Sequence, residues 1–70
     1  MSIFSERIKE LRAKEGITQK EAAVKSDMPS RTLQDYELCK RIPTLPNLVK
    51  LAKLYDVSID YLAGLTDERK

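Results

Sequence analysis

Thr18-Gln19-Lys20-Glu21-Ala22-Ala23-Val24-Lys25-Ser26-Asp27-Met28-Pro29-Ser30-Arg31-Thr32-Leu33-Gln34-Asp35-Tyr36-Glu37-Leu38 is the stretch whose reading decides the fold. It opens as a helix N-terminus. Thr18 can cap the first turn, and Glu21 three residues later completes the reciprocal capping pattern. The inner face of this helix carries only small residues, Ala22, Ala23 and Ser26, so a neighbouring helix is expected to cross it closely. Asp27-Met28-Pro29 then breaks the run, because proline disfavours the helical conformation in the residue before it. A further helix begins at Pro29 or Ser30, either of which can serve as the cap, and runs to about Leu38. With Ser30 at zero and a turn of about 100° per residue, Gln34 falls at about 40°, Arg31 at about 100° and Asp35 at about 140°. Leu33 and Tyr36 lie opposite and point to the core. A polar face alone is what any surface helix has. The small-residue helix and the turn in front of it give this one its interest.

Outward from that pair, the same pattern of short helices and stop signals continues. Phe4, Ile8 and Leu11 share one face of a preceding helix, which Gly16 ends. After the polar loop Cys39-Lys40-Arg41-Ile42-Pro43, Thr44 can cap a fourth helix, and Pro46 is tolerated in its first turn. Leu45, Leu48, Leu51, Ala52 and Tyr55 give that helix a broad apolar stripe. Ser58 caps a short fifth helix, Val57 and Leu62 have the spacing of a hydrophobic staple, and Gly64 ends it. No period-2 strand pattern occurs. The expectation is a compact all-α domain of five helices over residues 1–65, with 66–70 a charged, frayed tail. Its core candidates are Phe4, Ile8, Leu11, Ile17, Ala22, Ala23, Met28, Leu33, Tyr36, Leu48, Leu51, Ala52, Val57 and Leu62.

Composition removes several classes of function. With 70 residues the domain is near the lower limit for folding on a hydrophobic core alone. One cysteine and no histidine leave no internal disulfide, no plausible zinc ligand set and no nucleophile-base pair. No metal, cofactor, catalytic residue or small-molecule ligand is therefore expected, and the chain is not read as an enzyme. No apolar run approaches the roughly 20 residues that cross a bilayer, and no signal segment follows the start, so a cytoplasmic location is expected and no membrane contact. A net charge of +2 permits a nucleic-acid partner without implying one. Lys40 and Arg41, followed by Lys50 and Lys53, could be a phosphate-binding patch or a solvated face. The gathering of Ser30, Arg31, Gln34 and Asp35 at the start of one helix suits base edges, since arginine pairs with guanine and glutamine with adenine.

The ordered set of motifs resembles the Cro/C1-type (XRE-like) helix-turn-helix proteins, the phage and bacterial repressors with a lambda-repressor-like domain. The similar pieces are Arg7-Ile8-Lys9-Glu10-Leu11-Arg12, Gly16-Ile17-Thr18-Gln19, Ser30-Arg31-Thr32-Leu33-Gln34-Asp35-Tyr36-Glu37, Pro43-Thr44-Leu45, Leu51-Ala52 and Val57-Ser58. They cover roughly residues 6 to 64 at matching intervals. The resemblance implies a transcriptional regulator, a repressor that binds double-stranded operator DNA as a homodimer, with helices two and three as the helix-turn-helix. It implies base contacts from Ser30, Arg31, Gln34 and Asp35. Gln19, Thr32, Lys40, Arg41 and the start of the fourth helix near Asn47 would meet the sugar-phosphate backbone. Arg12 and Glu37 match a structural salt bridge. For the dimer surface, Ile59, Tyr61 and Leu65 are candidates, with closure of the core as the equal alternative.

Two positions depart from the pattern. The turn and the end of the third helix usually carry glycine; this chain has Asp27 and Cys39, at positions that tend to need positive φ. Leu38 is an apolar residue projecting toward the reading face. It supports a different class of function, a protein-interaction module of antirepressor or antitoxin type on the same fold. The sequence offers no second domain for dimerisation, inducer binding or cleavage, so regulation is expected to come from this domain's concentration or from other proteins.

Overall fold

The computed structural model describes residues 2–70, so residue 1 of the expected domain lies outside the described residues. Five helices follow one another among them: α1 (Ile3–Glu15), α2 (Gln19–Lys25), α3 (Ser30–Glu37), α4 (Leu45–Tyr55) and α5 (Ile59–Ala63). Four begin with a hydroxyl cap, in which Ser2, Thr18, Thr44 and Ser58 accept from the backbone N–H three residues on. The α2 capping box is complete: Glu21 N donates to Thr18 Oγ1 at 3.0 Å, and Thr18 N donates to Glu21 Oε1 at 2.9 Å. Only α3 starts without a side-chain cap. Pro29 occupies its cap position in an extended conformation, which resolves the choice between Pro29 and Ser30.

α1 is the hub, packing against α3, α4 and α5, while α2 lies against α3 and α4 against α5. Ile8, Ala22, Leu33, Leu51 and Leu62 are fully buried, and Ala22 with Ala23 lets α2 and α3 approach closely. The α3–α1 contact is sealed by Tyr36. Its ring meets Phe4 edge-on at 5.7 Å, its carbonyl accepts from Ser5 Oγ at 2.6 Å, and its hydroxyl accepts from Asn47 Nδ2 at 2.8 Å. Among the described residues, no helix is long and apolar enough to cross a membrane.

The core differs from expectation in particular places. Ile17, Leu48 and Val57 are only partly buried, while Tyr55 and Tyr61 belong to the core. Leu45 does not continue the α4 stripe inward; it is 68% exposed, because it sits in the first turn, beyond the edge of the packed surface. Asp27 and Cys39 both take φ > 0, at 56° and 62°, as does Asp56 at 54°. At the end of α3, Cys39 N donates to Tyr36 O at 3.2 Å and Lys40 N to Asp35 O at 2.8 Å. That is the closing pattern that glycine usually serves, here built on a residue with a Cβ. Lys50 Nζ donates to Asp27 O at 3.0 Å and so holds the turn between α2 and α3.

Residues 66–70 form no helix, yet they are tied to the body. The half-buried Arg7 of α1 donates from Nη1 to the carbonyls of Tyr61 and Thr66, and from Nη2 to Asp67 Oδ1 at 2.8 Å. Its guanidinium also lies over the Tyr61 ring, 4.1 Å from the centroid. Ser58 N donates to Arg69 O at 2.6 Å, and Lys70 Nζ lies 2.7 Å from Asp56 Oδ2.

Two outcomes follow from these contacts. Arg7→Ala is expected to cost about 1–3 kcal/mol in thermal unfolding, since several bonds to one charged group are lost. It should also speed hydrogen exchange at the Ser58 amide; unchanged exchange would mean that Arg7 does not hold the tail. Cys39→Gly relieves a left-handed backbone position and should raise the melting temperature by up to about 5 °C.

Candidate nucleic-acid interface

Leu33, Tyr36 and Glu37 are the buried residues of α3, and they leave its other side free. Ser30, Arg31 and Gln34 are exposed there, Thr32 and Asp35 are half-buried, and Leu38 is 54% exposed just past the last turn. Lys40 and Arg41 stand exposed in the loop that follows. Ser30, Arg31, Gln34, Lys40 and Arg41 thus offer hydrogen-bond donors from one helix face and the loop continuing it.

Glu37 positions this face from behind. Its side chain is 3% exposed and accepts from Arg12 Nε at 2.7 Å and from Arg12 Nη2 at 3.0 Å. Gln19 Nε2 donates to the same carboxylate at 3.0 Å, and Arg12 Nη1 reaches Ile17 O at 3.0 Å. One carboxylate therefore joins the end of α3 to α1 and to the start of α2. The hydrogen bond to Glu37 raises the pKa of Arg12 above its ordinary value, against the opposing effect of burial. Gln19 is half-buried, and its side-chain amide is held by Glu37 at the end of α3.

Asn47 has a comparable inward engagement. Its backbone N–H donates to Thr44 Oγ1 at 3.3 Å, and its side chain donates to the Tyr36 hydroxyl. Asp35 lies between two arginines, with Oδ1 3.4 Å from Arg31 Nε and Oδ2 3.7 Å from Arg41 Nη2. Cys39 is exposed, and hydrogen bonds involving Ser2 and Ser5 bring its thiol below the ordinary range. Of the three dimer candidates, Ile59 and Leu65 stand at the surface, whereas Tyr61 is 6% exposed beneath Arg7. Tyr61 thus serves the core, because Arg7 covers the ring that would have faced outward. Sequence reasoning also missed Lys50 as a support for the turn; no local pattern pairs it with the Asp27 carbonyl.

These features have relatives. A family model described as helix-turn-helix matches residues 8–62. The HTH-type transcriptional regulator ImmR of Bacillus subtilis (strain 168) is 46% identical over 67 residues, covering 96% of this chain and 53% of that protein. An uncharacterized HTH-type transcriptional regulator of the same organism, YobD, is 38% identical over 66 residues, covering 94% and 59%. A third, YqaE, is 35% identical over 60 residues, covering 86% and 52%. The chain spans about half the length of the curated relatives it matches.

The Glu37 network has a measurable consequence. Removing one partner of a fully buried ion pair costs about 3–5 kcal/mol, and Arg12 keeps partial access to water. Glu37→Gln is therefore expected to destabilise by about 2 kcal/mol, lowering the melting temperature by roughly 10 °C in a domain of this size. A shift under about 2 °C would show that the pair does not hold α3 in place.

Proposed function

The chain belongs to the helix-turn-helix family, and on that premise we propose that it is a DNA-binding transcriptional regulator that lays α3 in the major groove. The observation that carries this is the two-sided state of α3. Leu33, Tyr36 and Glu37 fix it rigidly from within, and Ser30, Arg31 and Gln34 project from the opposite side. A helix held in this way can present arginine to guanine and glutamine to adenine at little ordering cost.

Around the reading helix, the roles divide by position. Arg31, with Ser30 and Gln34, reads base edges. Lys40, Arg41 and Thr32 meet the sugar-phosphate backbone, as does Gln19, which Glu37 orients. The start of α4 at Asn47 lies close enough to the Tyr36 hydroxyl to move with α3, and any phosphate contact there shares that support. The regulator acts as a repressor in the cytoplasm, bound to operator DNA as a homodimer, since two-fold protein symmetry matches palindromic sites for this motif. Ile59 and Leu65, both exposed, supply the two-fold contact. The chemistry proposed for this site uses neither a cofactor nor a metal.

A second reading has its own support. Leu38, Ile42 and Leu45 are exposed around the same loop and could border a protein partner instead of DNA. Salt and mutation separate the two. Binding to duplex DNA should weaken linearly in log–log form as salt rises, and Lys40→Ala should reduce that slope by about one while weakening all sequences alike. Arg31→Ala should cost about 1–3 kcal/mol on the preferred site and relax specificity at one base pair. No salt slope and no preferred site would reject the DNA reading in favour of the protein partner.

A further inference from the structure

We propose that Asp35 is a positioning residue: its carboxylate aims the Arg31 guanidinium at its base and ties that arginine to Arg41 in the following loop. The proposal rests on the DNA-reading role of α3 and adds to it a determinant of specificity. Sequence alone suggests that Asp35 reads a base itself. The geometry points elsewhere. Its side chain is 13% exposed, and each oxygen faces a different arginine, Oδ1 toward Arg31 Nε at 3.4 Å and Oδ2 toward Arg41 Nη2 at 3.7 Å. Both oxygens are already engaged by arginines, so a cytosine amino group would have to share them with these cations.

The way Arg31 is engaged matters as much as the distance. Bidentate recognition of guanine uses two parallel N–H groups of the guanidinium fork. Asp35 approaches Nε, one turn along the helix, so both Nη groups stay available. Arg31 is otherwise 81% exposed and would sample many rotamers that miss the base. A carboxylate one turn away removes many of them, which limits the entropy lost on binding. Arg41, 57% exposed, is drawn to the same carboxylate from the loop. Two cations that would repel each other are thus kept together, one aimed at bases and one at the backbone. Ion pairs whose arginine stands largely in solvent contribute little to folding, so the expected effect is on recognition and not on stability.

Asp35→Asn keeps the shape and removes the charge. The test compares wild type, Asp35→Asn, Arg31→Ala and the double variant for binding to duplexes selected by the wild-type chain and to single-base-pair variants of them. Asp35→Asn should reduce discrimination about two- to fivefold at the base pair that Arg31→Ala relaxes. Affinity for unselected duplex should stay level or rise, because a negative charge near phosphates is gone. In the Arg31→Ala background, Asp35→Asn should cause no further loss of discrimination. A change at a different base pair, additive with Arg31→Ala, would overturn the proposal and make Asp35 a base reader. A lowered melting temperature with equal weakening of all sequences would overturn it in favour of a structural role.

One readout needs no DNA. The Nε–Hε group of Arg31 should become more mobile on the nanosecond scale in Asp35→Asn, by NMR relaxation on the free protein. Unchanged mobility would sink the positioning claim even if the chain selects a site. If the wild-type chain selects no sequence while Arg31 does become mobile, the DNA reading has failed, and with it the specificity role of a contact that exists.

Discussion

A buried carboxylate is costly unless its charge is matched and its oxygens accept hydrogen bonds. Glu37 meets that condition with three donors, two from Arg12 and one from Gln19. The same condition sets the geometry of the surrounding helices. Arg12 must come from α1 and Gln19 from the first turn of α2, so satisfying Glu37 places the end of α3 relative to both. Tyr36, one residue earlier, adds ties to Ser5 and Asn47. In a domain whose total stability is only about 4–10 kcal/mol by the usual per-residue scale, such a junction is a large share of what orients α3.

That orientation is what the exposed side of α3 depends on. Base reading tolerates little positional error, and a helix of 8 residues has no rigidity of its own in water. The core supplies the rigidity through Leu33 and Tyr36, the network supplies the angle, and Ser30, Arg31 and Gln34 are left to face outward. At both ends of α3 the chain accepts left-handed residues with a Cβ, Asp27 and Cys39, where glycine would be less strained. Lys50 holds the first of these bends through the Asp27 carbonyl. Neither bend interrupts α3 itself, and the loop carrying Lys40 and Arg41 leaves it through a closed turn.

Most helix ends were legible because caps are local. Thr18 with Glu21, Thr44, Ser58, Gly16 and Gly64 announce themselves within four residues of the bond they make. The need for positive φ at Asp27 and Cys39 was also legible, from the resemblance. What could not be read was long-range. Whether Tyr61 faced a partner or closed the core stayed open, because the arginine that covers it lies 54 positions away. Leu45 fitted the α4 periodicity, but periodicity does not say where the packed surface stops. For the candidate site, Arg31 and Asp35 are visible as an i, i+4 pair. That Arg41 closes on the same carboxylate depends on the path of the loop, which no spacing encodes.

Which surface meets DNA decides whether α3 is the reading helix. Amide chemical-shift mapping during titration with a duplex enriched by the chain from a random pool measures this directly. The largest shifts should fall on Gln19, residues 30–35 and Lys40–Arg41, with small ones on the buried face of α1. Shifts centred on Ile59 and Leu65, with residues 30–35 unmoved, would rule out α3 as the reading helix.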